Sequence, residues 1–164
     1  MTAAGKYLHE SIDNPENAGG TGKTQTLSIL ADFLNVDGKE VSRDNHSNDK
    51  DFVAMIDYHG SKVGIITIGD PGTEDFVFSE LEKLYKEGCD VIIACSRSRS
   101  YANGVYEMLW QFGKDNGIVT METSPYRTYE EYHESLPHET INRMCAHALL
   151  GAIDYFIHKK SETL

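Results

Sequence analysis

The chain has 164 residues, 40 % of them hydrophobic and 25 % charged, which fits one domain with one core spanning residues 1–164. Its 26 acidic residues against 15 basic ones give a formal charge of −11, a field that disfavours non-specific binding to nucleic acid or to anionic membranes. Three cysteines without C-x-x-C spacing give no sign of a disulfide framework or a zinc site, and no apolar run is long and unbroken enough to span a bilayer, so the expected location is the cytoplasm.

In chain order, Tyr7 to Ile12 reads as a weak, polar first strand, and the polar segment Asp13 to Glu16 joins it to Asn17-Ala18-Gly19-Gly20-Thr21-Gly22-Lys23-Thr24. Gln25 to Leu34 follows with Leu27, Leu30 and Leu34 at helical spacing, which predicts a helix stopped by Gly38. Glu40 to Arg43 reads as a short strand, and the residues from Arg43 to Lys50 as a polar loop that contains Asp44. Phe52 to Tyr58 and Lys62 to Gly69 form a hairpin about His59-Gly60-Ser61, with Phe52 to Tyr58 as its outer strand and the continuously apolar Val63 to Ile68 as a central buried one.

Helix Phe76 to Glu87, buried strand Asp90 to Cys95, helix Tyr101 to Lys114, strand Ile118 to Glu122 and a long helix from Pro137 through Ile157 complete the chain. Strands alternating with helices predict an α/β fold of three layers, αβα, with a mainly parallel sheet built by right-handed crossovers and including one β-hairpin. Ligands in such sheets sit beyond the C-terminal ends of the strands.

The run Gly19 to Thr24 is suited to a phosphate chain. Glycines let successive backbone N–H groups approach anionic oxygens, the helix that follows directs its N-terminal dipole at the same anion, and Lys23 adds a full charge. These residues resemble the Walker A loop of the P-loop NTPases, G-x-x-x-x-G-K-[ST], with Asn17 in place of the first glycine. The resemblance implies a P-loop NTPase-like fold in which Gly19, Gly20, Thr21, Gly22, Lys23, Thr24 and Gln25 hold ATP, and in which Thr24 and an acidic residue hold Mg²⁺. Asp70, directly after the buried strand, is the first choice for that carboxylate, with a turn residue before Pro71 as the plain alternative and Asp57 as the rival.

Arg97 and Arg99, in Ser96-Arg97-Ser98-Arg99-Ser100 beyond the next strand, are candidates for stabilising phosphoryl charge or binding an acceptor, or else for pairing with surface carboxylates. Asp44 is a candidate base for an acceptor hydroxyl. Two functions follow as expectations: a Mg²⁺-dependent ATPase or small phosphotransferase acting on a small-molecule or protein acceptor, and a nucleotide-operated switch. The Gly-Gly-Thr-Gly-Lys-Thr run and the Asp70-Pro71-Gly72 turn are similar to those of the partition-type ATPases, although Ala18 stands where their signature lysine belongs. A switch of that kind would assemble with a protein or, as a homodimer, with itself.

Overall fold

In a computed structural model the described residues are 4–10, 22–46, 50–97, 104–123 and 137–161. Strand β1 (Ala4–Glu10) is followed by helix α1 (Lys23–Asp37), strands β2 (Gly38–Asn45), β3 (Phe52–Tyr58) and β4 (Ser61–Ile66), helix α2 (Glu74–Lys86), strand β5 (Val91–Arg97), helix α3 (Val105–Asp115), strand β6 (Val119–Thr123) and helix α4 (His138–Ser161). The six strands form one sheet in the order β2-β3-β4-β5-β1-β6.

The sheet is mixed, which corrects the expected mainly parallel, P-loop NTPase-like architecture. Strand β1 runs parallel to β5 and β6, and β4 parallel to β5, but β3 is antiparallel to both β2 and β4. The cause is local. His59 and Gly60, with φ of 51° and 75°, make a two-residue turn whose handedness matches the strand twist and forces β3 against β4. At the other end, only residues 46–51 join β2 to β3, too few for a crossover, so β2 also lies antiparallel along β3. Strand β3 is therefore interior, not the hairpin's outer strand, and every residue in it except Asp57 is buried. The edge is β2, longer than expected, and it takes in Asp44.

Two apolar clusters cover the two faces of the sheet. Leu27, Leu30 and Leu34 of α1 and Ala146, Leu149 and Ile153 of α4 pack on Ala54, Ile56, Ile65 and Ile93. Val77, Leu81 and Leu84 of α2 and Val105, Leu109 and Phe112 of α3 pack on Val53, Met55, Ile66 and Ile92 on the opposite face. Burial of this many aliphatic side chains, at about 1.5–3 kcal/mol each, is the main force that holds helices to sheet. No helix among the described residues is long and apolar enough to cross a membrane.

Candidate functional site

The topology brings one end of several strands to a common edge. The C-terminal ends of β4, β5, β1 and β6 meet there, and because β3 runs the other way, the residue that precedes it, Asp51, lies at the same edge. The first turn of α1 also arrives there. Thr24 Oγ1 donates to Asp51 Oδ1 at 2.8 Å, and Lys23 Nζ lies 3.5 Å from the carbonyl oxygen of Ser96 at the end of β5. Helix α1 thus starts close to the β3–β4 end of the edge. Strand β1 ends three strands away from β3, about 14 Å at the usual strand spacing.

Asp51 is held in place by the β3–β4 pairing. Thr67, just past β4, accepts the Phe52 N–H at 2.7 Å through Oγ1, and that hydroxyl lies 3.1 Å from the Phe52 carbonyl oxygen and 3.4 Å from Asp51 Oδ1. One half-buried carboxylate therefore faces two threonine hydroxyls, a set of hard oxygen donors of the kind Mg²⁺ accepts. Among the described residues no group of three or more His, Cys, Asp or Glu side chains is placed to hold a metal ion, so a bound cation would draw its remaining ligands from water and phosphate.

The start of α1 differs from that of the other helices. Gly22 precedes it in the left-handed conformation, φ 74° and ψ −1°, and the first turn carries Lys23 and no acidic residue. Helices α2, α3 and α4 all have an acid in the first turn and a base in the last, as the helix dipole favours; α1 has neither. A cation at a helix N-terminus costs about 0.3–1 kcal/mol, and an anion bound there would reverse the sign.

Gly22 is fixed from the side by α4. A Cβ at Gly22 would run into Asn142 Oδ1, and Asn142 is 6 % exposed. Its amide accepts from Thr26 Oγ1 at 3.3 Å and donates to Gln25 Oε1 at 2.8 Å. The Thr26 N–H closes the first turn on the Gly22 carbonyl at 2.7 Å. At the end of β5, Ser96 is fully buried and its Oγ has no hydrogen-bond partner among the described residues.

Gly22, Lys23, Thr24 and Gln25 are thus brought together at the sheet edge, whereas Gly19, Gly20, Thr21 and Arg99 lie outside the described residues. Arg97 is the last residue of β5, paired with Glu10 of β1. Asp70 is exposed in a turn, where its carbonyl oxygen accepts from Thr73 N at 3.2 Å and Thr73 Oγ1 at 2.7 Å. In the same turn the Gly72 N–H donates to Glu74 Oε1 at 3.1 Å and lowers the Glu74 pKa. Asp57 is exposed in β3, on the residue pair Asp57↔Lys62, near the hairpin end of the sheet and away from Thr24.

Asp44 belongs to edge strand β2 rather than to a loop, and its carboxylate pairs with Lys83 Nζ at 3.3 Å, on the surface. The carboxylate in contact with Thr24, Asp51, was not among the expected site residues. The hairpin reading held the signal for it, since the residue before the first strand of a hairpin must lie where the second strand ends. The chain matches no protein-family model, no curated protein and no solved structure.

Proposed function

We propose that this chain binds a nucleoside triphosphate, ATP in the first instance, together with Mg²⁺, and acts on the terminal phosphate as an ATPase or small phosphotransferase. The reading rests on one observation: the Thr24 hydroxyl meets the Asp51 carboxylate at 2.8 Å, directly beside a helix start that bears Lys23. Thr24 and Asp51 would hold the cation, which when bound supplies Lewis-acid polarisation of the phosphate oxygens. Lys23 can leave its long, 3.5 Å contact with the Ser96 carbonyl for a phosphate oxygen at little cost. The first amides of α1 supply neutral donors to the same oxygens.

This chemistry suits an acidic protein. With a net charge of −11, attraction of a polyanion has to be local, and a divalent cation held by Asp51 would turn a repelling carboxylate into part of the site. The resemblance of Gly19 to Thr24 to a Walker A loop supports the same reading at the level of sequence. Calorimetric titration of ATP, ADP and GTP into the purified chain, with and without Mg²⁺, is the test. The expected result is Mg²⁺-dependent binding of ATP that weakens by tenfold or more, about 1.4 kcal/mol, in Lys23→Ala. Absence of heat with every nucleotide, or identical titrations for wild type and Lys23→Ala, would rule the proposal out.

A further inference from the structure

We infer that Asn142 of α4 is a positioning residue for the anion-binding end of α1, a role that rests on the reading of that end as a phosphate site. The amide of Asn142 is buried, and its hydrogen-bond partners among the described residues, Thr26 and Gln25, both belong to the first turn of α1, more than a hundred residues distant in sequence. It does three things there at once. Its Oδ1 occupies the space that a side chain at Gly22 would need, so it packs against the left-handed turn itself. The same oxygen accepts from the Thr26 hydroxyl, beside the Thr26 N–H that closes the turn on the Gly22 carbonyl. Its Nδ2 donates to Gln25 Oε1 and thereby sets the direction of a side chain that is otherwise exposed.

Helix stability alone does not call for this arrangement. The core contacts that α4 makes with α1 and the sheet through Ala146, Leu149 and Ile153 are apolar, and an aliphatic residue at position 142 would add to them. A buried amide is costly to leave without its partners, and here both of its hydrogen bonds to α1 exist only when Gly22, Gln25 and Thr26 hold their present places. The first-turn amides of Lys23, Thr24 and Gln25 are thereby aimed before any anion arrives, and the ordering cost is met by folding instead of by binding.

Four variants separate positioning from packing: Asn142→Ala, Asn142→Asp, Thr26→Val and, as a packing control far from Gly22, Leu149→Ala. Each is read by thermal unfolding, by amide exchange at Thr26 without ligand, and by calorimetry with ATP and Mg²⁺. Asn142→Ala is expected to speed Thr26 exchange and to weaken ATP about tenfold, with Thr26→Val acting in the same direction by a smaller factor. Asn142→Asp keeps the acceptor for Thr26 but loses the donor to Gln25 and adds a negative charge, so it should preserve Thr26 protection and weaken ATP at least as much. Leu149→Ala should lower Tm and leave the affinity of the folded protein unchanged.

Wild-type protection of the amide at position 26, relative to its intrinsic exchange rate, in both Asn142→Ala and Thr26→Val overturns the inference, as does an affinity in Asn142→Ala that falls no more than in Leu149→Ala. If Asn142→Ala does not fold, the isosteric Thr26→Val decides the matter by the same two readings. A wild-type chain that binds no nucleotide but whose Thr26 protection depends on Asn142 would locate the failure in the phosphate reading, and the hold of Asn142 on the turn would stand.

Discussion

Asp51 and Asp70 lie before β3 and after β4, and because those strands are antiparallel both aspartates belong to the same edge of the sheet. Asp51 touches Thr24, while Asp70 lies in an exposed turn with Thr73. Exchange of each for asparagine separates their roles, because asparagine keeps the shape and the acceptor oxygen but loses the charge. Asp51→Asn should abolish the Mg²⁺ dependence of ATP binding, with a loss of about tenfold or more in affinity, and should cost little stability since Oδ1 still accepts from Thr24. Asp70→Asn should retain the Mg²⁺ dependence. The reverse outcome in paired calorimetric titrations would transfer the metal role to Asp70. The sequence singled out Asp70 because an acid directly after a buried strand is a visible pattern. Asp51 had no such mark, since it stands among Asn48, Asp49, Lys50 and other polar residues, and only the direction of β3 gives it meaning.

Elements with a strong period were legible from residues alone. Helix α1, the β3–β4 hairpin and β5 were found within a few residues, because Leu27, Leu30 and Leu34 share a face and Val91 to Cys95 is apolar throughout. Strand β1 was the weakest reading, yet it is interior, with β5 and β6 on its two sides. A segment as polar as Ala4 to Glu10 shows no alternation that would reveal this, and its place is given by backbone pairing to neighbours distant in sequence. The mixed character of the sheet was hidden because β2 is exposed along most of its length and carries little pattern, so that its extent, and with it the short connection to β3, was not marked by the residues.

The end of β4 makes one contact that a substitution can measure. A Cβ on Gly69 would overlap the Cys95 carbonyl oxygen, so the chain leaving β4 passes directly over β5. Gly69→Ala must push the two strand ends apart at the site edge. The expected cost is about 1–3 kcal/mol, seen as a Tm several degrees lower, with a loss of ATP affinity as Ser96 moves relative to Lys23. An unchanged Tm would mean that these strand ends have room to spare.

Two buried acids, one in the core on each face of the sheet, set how the whole chain responds to alkali. Tyr58, at the end of β3, donates its hydroxyl to Asp154 of α4 at 3.0 Å; burial, then that carboxylate, push its pKa up to about 12. Cys89, buried between α2 and β5, is likewise pushed up to about 12, chiefly by burial. Both groups are acids whose neutral form is favoured in the fold, so above about pH 9 the unfolded chain loses protons first. Stability from these groups is therefore complete below that pH and drains away up to about pH 12, at a rate approaching 1.4 kcal/mol per pH unit for each group while it titrates. The added negative charges also fall on a molecule that already carries −11, which works in the same direction. Urea unfolding at a series of pH values should show a flat profile from pH 7 to about pH 9 and a decline beyond it. Tyr58→Phe and Cys89→Ala should each begin from a lower plateau, through the lost hydrogen bond or a small cavity, and each should decline less steeply. A decline as steep in the double variant as in wild type would assign the alkaline loss to general charge repulsion rather than to these two buried groups.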